Sequence, residues 1–188
     1  MNDTKDSIST NCNSFLSKEV ESISEINNQI EVNDDLKNII IDSISFNLEK
    51  VIRRNKNEAK VCPKDLFFLS FIPRISLNKY IRHLVKQTNM EISTLILAVI
   101  YVDRFCYKYD YTITKNNIFR ILLTTCLLSL KFNQDSKITN KAYSKIACVT
   151  AKDLKTLEFC MYLELKFSLM VRDSHFVQYY NFFINNSS

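Results

Sequence analysis

The sequence predicts an all-α fold, on three observations. Apolar residues recur at helical spacing from residue 33 onward. Two segments are apolar nearly all round, the mark of helices in the middle of a bundle. No stretch keeps strand-like alternation long enough to suggest a sheet. The expected domain is a five-helix bundle with an additional N-terminal helix.

Residues 1–32 are rich in Ser, Asn and acidic side chains and read as a flexible leader, with helix possible only near its end. The stretch NDDLKNIIIDSISFNLEKVIRRN opens the N-terminal helix unit, residues 33–60. Asn33, Asp34 and Asp35 supply a cap and negative charge where the helix dipole favours it. Leu36, Ile40, Ile44, Leu48 and Ile52 form one apolar stripe, and Arg53 and Arg54 close the helix with the favourable sign. A loop through Cys62-Pro63 and the aromatic patch LFFLSFIP follow. Pro73 suits a first helical turn. Five helices are then expected at about residues 73–87, 93–108, 115–132, 139–148 and 151–165.

The second and third of these contain the all-round apolar runs STLILAVIYVDRF and NIFRILLTTCLLSLKF. The others are amphipathic, so two buried helices are sheathed by neighbours. Thr150 with Asp153 forms a start signal for the fifth. The tail, residues 173–188, carries SHFVQYYNFFI, whose aromatics are expected to pack back on the bundle.

Composition removes several classes of function. The 188 residues include no glycine and two prolines. Glycine-rich phosphate loops need positions without a Cβ, so nucleotide-binding enzymes of that kind are disfavoured. Helix ends must stop on Asn or other polar residues. The six cysteines are widely spaced with no CxxC pair, and read as small hydrophobes in a reducing compartment. Two histidines, His83 and His175, are too few and too scattered for a metal site or a catalytic triad. No cofactor or metal is expected. The opening residues lack the apolar core of a signal peptide, and no apolar run reaches the roughly 18 residues of a membrane span. The expected location is cytoplasmic, nuclear or both.

Charge is uneven. Residues 1–60 carry eight basic and eleven acidic side chains, whereas the remainder carries seventeen and nine. The bases are dispersed, without the clustering or stacking aromatics of nucleic-acid modules, so nucleic acid is not the expected partner.

The run PRISLNKYIRHLVKQTNMEISTLILAVIYVDRF resembles the first two helices of a cyclin box. That pattern has an arginine at the start of helix one, here Arg74, and Y-[IV]-D-R-[FL] at the end of helix two, here Tyr101 to Phe105. LLSLKF resembles the third-helix ending, with Lys131 at its signature lysine. DLKTLEFCMYLELKFSL resembles helix five, with Glu158 at its signature glutamate and Leu163, Leu165 and Phe167 in the apolar ending.

Finer features resemble the P- or U-type cyclins of the phosphate-signalling group. These are the "RN"-like element in EKVIRRNK, the entry SFIPRIS, Asn117 with Arg120, and the segment containing Asp135, Asn140 and Tyr143. The resemblance runs over residues 36–172, with the box placed at 61–172 and only one box expected. Phe119 replaces the family's usual His, and Ala147-Cys148 replaces its Gly-Gly, so that turn is expected to take another path.

The resemblance implies a non-enzymatic regulatory subunit that binds and activates a cyclin-dependent protein kinase. It pairs Arg74 with Asp103 in a structural salt bridge, and leaves Arg104 facing solvent or capping carbonyls at its own helix end. Lys131 and Glu158 become the kinase-binding centre, exposed on one face. Asp135 would meet an arginine near the kinase activation segment. Pro73 and Tyr80 stand where cell-cycle cyclins have Met and Trp in a substrate-docking groove, which argues against that docking mode. The alternative is a cyclin-fold transcription factor or scaffold that binds nucleic acid or polymerase.

Overall fold

The computed structural model describes residues 22–55, 65–134 and 138–186. Among them it is all-helical: α1 (Ile23–Glu31), α2 (Asp34–Arg54), α3 (Leu77–Thr88), α4 (Ile92–Tyr109), α5 (Ile118–Asn133), α6 (Asn140–Ile146), α7 (Ala151–Glu164) and α8 (Asp173–Asn185). Helices α3–α7 are the five expected ones. Most of the expected leader, the Cys62-Pro63 loop and Asp135 lie outside the described residues.

The end of the expected leader is α1. Its start is a reciprocal capping box, with the Glu25 amide donating to Ser22 Oγ at 3.3 Å and the Ser22 amide to Glu25 Oε2 at 2.7 Å. Ile26 and Ile30 are fully buried. α1 also completes α4, which has no cap of its own. Glu31 Oε1 accepts the Ile92 amide at 3.2 Å, and Asn27 donates to Glu91 at 2.9 Å.

α2 begins on Asn33, whose side chain accepts the Leu36 amide. Its stripe packs as the spacing predicts, with Ile40, Ile44, Leu48 and Ile52 buried. Its end is tied to the α4–α5 connection by Asn55, which donates to the Ile113 carbonyl at 3.0 Å. α3 starts later than expected. Ser76 rather than Pro73 is adjacent to the first turn, and its hydroxyl accepts the Lys79 amide. Arg82 fastens α3 to α2 through Asp42 at 2.6 Å.

α4 and α5 pack together at the centre, with α7 on α5, α8 on α2 and α4, and α3 on α2 and α6. α5 is buried from Ile118 to Leu130 apart from Arg120, which explains its lack of a polar face. Ser129 Oγ, buried on α5, donates to the Thr94 carbonyl at 2.6 Å, whereas the buried Nε of Arg120 has no partner among the described residues. Phe176, Tyr180 and Phe183 of α8 are buried, so the tail aromatics do pack back on the bundle.

Without glycine, chain reversals use other residues in the left-handed region. Asn89 and Asp110 end α3 and α4 there, with φ of 50° and 47°. Cys148 has φ of 53°. The turn after α6 therefore uses a glycine-type conformation at a position where this sequence has a Cβ, instead of the different path expected.

The segment leading into α3 is held by α5. Leu69 and Asn116 exchange backbone and side-chain bonds at 2.6 and 2.8 Å, and Arg120 Nη1 donates to the carbonyls of Leu66 and Phe68. Asn117 accepts the Thr114 amide and donates to the Thr112 carbonyl. The Asn117-to-Arg120 motif is thus a fastening for two connections.

Candidate functional site

α5 and α7 pack side by side, and this brings Lys131 and Glu158 together from 27 positions apart. Lys131 Nζ lies 2.6 Å from Glu158 Oε1. The two sides are not equally wet: the Lys131 side chain is 28% exposed and that of Glu158 is 11% exposed. The expectation of two exposed charges therefore holds for the ammonium and fails for the carboxylate. Glu158 faces the α5–α7 seam, where only a paired charge is tolerated.

A third residue completes the group. Asn140, first in α6, accepts from Lys131 Nζ through Oδ1 at 2.5 Å and donates through Nδ2 to Glu158 Oε2 at 2.6 Å. Thr139 caps α6 by accepting the Ala142 amide and so fixes where Asn140 points. Asn140 was legible as a motif residue but not as a member of the site. Two positions are available to a partner: Lys131 has three N–H donors and uses two, and each carboxylate oxygen can accept a further bond. Phe132 and Phe159, each next to one of the charged residues in sequence, are 49% and 60% exposed. Tyr162, one turn beyond Glu158, has its phenol pushed up by burial and, secondarily, by the Glu158 charge.

The Y-V-D-R segment has a different role from the one expected of it. Among the described residues Arg74 and Asp103 form no ion pair. Arg74 is exposed in the segment before α3. α2 lies between the two. Its Glu49, Ile52 and Arg53 line one groove with Ile72, Pro73 and Ile75, the neighbours of Arg74 in the entry segment, while its Asn47, Leu48 and Val51 line another with Asp103 and α8. Asp103 instead accepts the Tyr179 hydroxyl at 2.6 Å. Its carboxyl is raised above the usual range by burial against α8, an effect larger than the opposing Tyr179 bond and His175 charge.

The neighbours of Asp103 hold the chain that links α7 to α8. The buried Tyr101 donates to the Leu169 carbonyl at 2.8 Å and accepts from Asn133 at 3.0 Å. Arg104 Nη1 donates to the carbonyls of Ser168 and Met170 at 3.1 and 3.0 Å. Arg104 does cap carbonyls, but those of another connection and not of its own helix. The motif as a whole fastens the post-bundle segment to α4.

Tyr80 donates to the Phe119 carbonyl at 3.3 Å, and the two rings meet edge-on with centroids 5.1 Å apart. Among the described residues no three His, Cys, Asp or Glu side chains converge as a metal site, and no helix is long and apolar enough to cross a membrane.

A family model described as Cyclin matches residues 2–169. The chain is similar to Cyclin-U4-3 of Arabidopsis thaliana, 28% identical over 141 residues, covering 74% of this chain and 64% of that protein. It is similar to Cyclin-U2-1 of the same plant, 25% identical over 146 residues, covering 75% and 66%. It also resembles Cyclin-P3-1 of Oryza sativa subsp. japonica, 25% identical over 99 residues, covering 53% and 42%. The chain thus spans about two thirds of the first two relatives and under half of the third. A helical bundle with this motif order, matched along most of its length by that model, belongs to the cyclin family, and its likeness runs to the U-type and P-type members.

Proposed function

We propose that this chain binds and activates the catalytic subunit of a cyclin-dependent protein kinase, through a face centred on Lys131 and Glu158. The observation that supports this most is the Lys131–Asn140–Glu158 group itself. It is a fixed, partly exposed cation and a carboxylate held at set spacing, and the residue that follows each in sequence, Phe132 or Phe159, is an exposed aromatic. The free N–H of Lys131 donates to a kinase backbone carbonyl, and the free lone pairs of Glu158 accept kinase backbone N–H groups. Such charge-assisted bonds are among the stronger ones, and an Asn-braced pair meets them already oriented. Phe132 and Phe159 supply apolar area that needs covering. Asp135, four positions beyond Lys131, meets an arginine near the activation segment in place of an activating phosphate.

The mechanism is a population shift. A kinase holds ATP productively when its strand lysine and helix glutamate are paired. A subunit that binds only that arrangement stabilises it by its difference in affinity for the two states. This chain supplies position and no catalytic group, and the role places it in the cytoplasm, the nucleus or both.

The test is affinity capture from the native cell with mass spectrometry, using the wild-type chain and Phe159→Asp. That substitution changes an exposed ring and leaves the Lys131–Glu158 bond in place. Stoichiometric recovery of a cyclin-dependent kinase with wild type, and its loss with the variant, is expected. Recovery of polymerase or nucleic acid without a kinase would replace this reading.

A further inference from the structure

A recess at the start of α8 lies apart from the Lys131–Glu158 group. Its volume is about 390 Å³, and its lining side chains are Arg104, Arg172, Ser174, His175 and Gln178. All five can donate hydrogen bonds, and none is an acid. Two carboxylates stand beside it: Asp103, engaged by Tyr179, and the exposed Asp173 in the first turn of α8. Ser174 and Gln178 are one turn apart and therefore share a side of α8. Arg104 is held at the recess by the carbonyls of Ser168 and Met170, which occupy Nη1 alone of its nitrogens. Arg172, Ser174 and Gln178 have no side-chain hydrogen bond or ion pair among the described residues, although they converge on one cavity.

The helix start adds to this convergence. The amides of His175 and Phe176 both return to the Arg172 carbonyl, at 2.9 and 3.0 Å. The amides of Asp173 and Ser174 precede them and have no intrahelical acceptor. Two guanidiniums, an imidazole, a hydroxyl and a carboxamide around one opening call for a ligand with several acceptor oxygens. A planar carboxylate engages one arginine fork and leaves the second unmatched. A tetrahedral phosphate presents three terminal oxygens and engages both.

We propose that this recess binds a phosphate group, presented either as inorganic phosphate or as a phosphate monoester on a partner. The site is independent of the kinase-facing reading and survives or fails without it.

The experiment follows amide signals of the full chain by heteronuclear NMR, with the additions compared at matched ionic strength. Inorganic phosphate, capped phosphoserine and sodium chloride are added in separate titrations. Saturable shifts at Asp173, Ser174 and His175 are expected with the two phosphates and not with chloride. Arg172→Ala and Gln178→Glu alter partnerless side chains, so the remaining spectrum should be unchanged while phosphate binding weakens by about tenfold or more, the loss of one charge-assisted bond. Phosphoserine binding about tenfold tighter than inorganic phosphate assigns a partner-borne group; comparable binding assigns the free ion. Absence of saturable shifts, equal shifts with chloride, or undiminished binding in both variants would overturn the proposal.

Discussion

Lys131 and Glu158 share a 2.6 Å ion pair in which the carboxylate is the more buried partner by more than twofold. The asymmetry decides which truncation is worse. Without Lys131, Glu158 Oε1 stays in the α5–α7 seam with its charge partner gone. Without the Glu158 charge, Lys131 can turn to water. Lys131→Ala is therefore expected to cost about 2 kcal/mol, and Glu158→Gln under about 1 kcal/mol. A chain of this size loses about 2–4 °C of Tm per kcal/mol, so thermal melts resolve the difference. Equal melting of the two variants would mean that the pair is as solvated as a surface bridge.

Tyr101 joins α4 to the α7–α8 connection from inside the core. Tyr101→Phe keeps the ring and strands the Leu169 carbonyl, while Asn133 Nδ2 keeps its bonds to Ser129. The expected cost is about 1–3 kcal/mol, with faster amide exchange concentrated in residues 168–172 and α8. Faster exchange spread evenly over the bundle would show that the hydroxyl is not a local fastening.

Asp103 offers a test by pH. The residue is open to solvent along one edge, yet its carboxyl is crowded by α8, and crowding is the larger influence on its protonation. A raised folded pKa means that the fold holds this proton more tightly than the unfolded chain does. Its contribution to stability is full below the unfolded pKa and is lost as pH rises through the folded one. Tyr179→Phe removes a bond that lowers the pKa, so the Asp103 carboxyl should titrate at higher pH in the variant than in wild type. Carbon-detected NMR reads both midpoints directly. A midpoint unchanged or lower in the variant would show that the hydroxyl does not act on this carboxylate.

Cys148 holds a left-handed backbone with φ of 53°. A Cβ there costs roughly 1–2 kcal/mol, offset in part by the entropy glycine would bring to the unfolded chain. Cys148→Gly is expected to raise the Tm by about 2–4 °C. A lower Tm would contradict the backbone assigned to this turn.

The parts of the fold legible in the sequence are those set by local periodicity and local caps. The Leu36-to-Ile52 stripe, the all-round apolar α4 and α5, and the Thr150 cap, whose hydroxyl accepts the Asp153 amide, depend on neighbours within one or two turns. α1 carried such a signal too, since Ser22 and Glu25 have capping-box spacing. The Ser76 start competed with Pro73, which is equally suited to a first turn, and only the path of the entry segment decides between them. The Lys131–Glu158 pairing has no local cause. It follows from α5 against α7, and the family resemblance supplied it where spacing could not. The Arg74–Asp103 expectation came from the same source and failed because α2 and α8 occupy the space around Asp103. Asn140 was missed because its bonds run to two other helices.

The central claim is that the Lys131–Glu158 face positions a kinase. The most direct measurement is calorimetric binding and phosphotransfer activation of the captured kinase by wild type, Phe159→Asp and Lys131→Ala, at a temperature where melts show every variant fully folded. Both variants are expected to bind at least about thirtyfold more weakly, a hot-spot loss of about 2 kcal/mol, with activation falling in step with binding. Folded variants that bind and activate the kinase like wild type would contradict it.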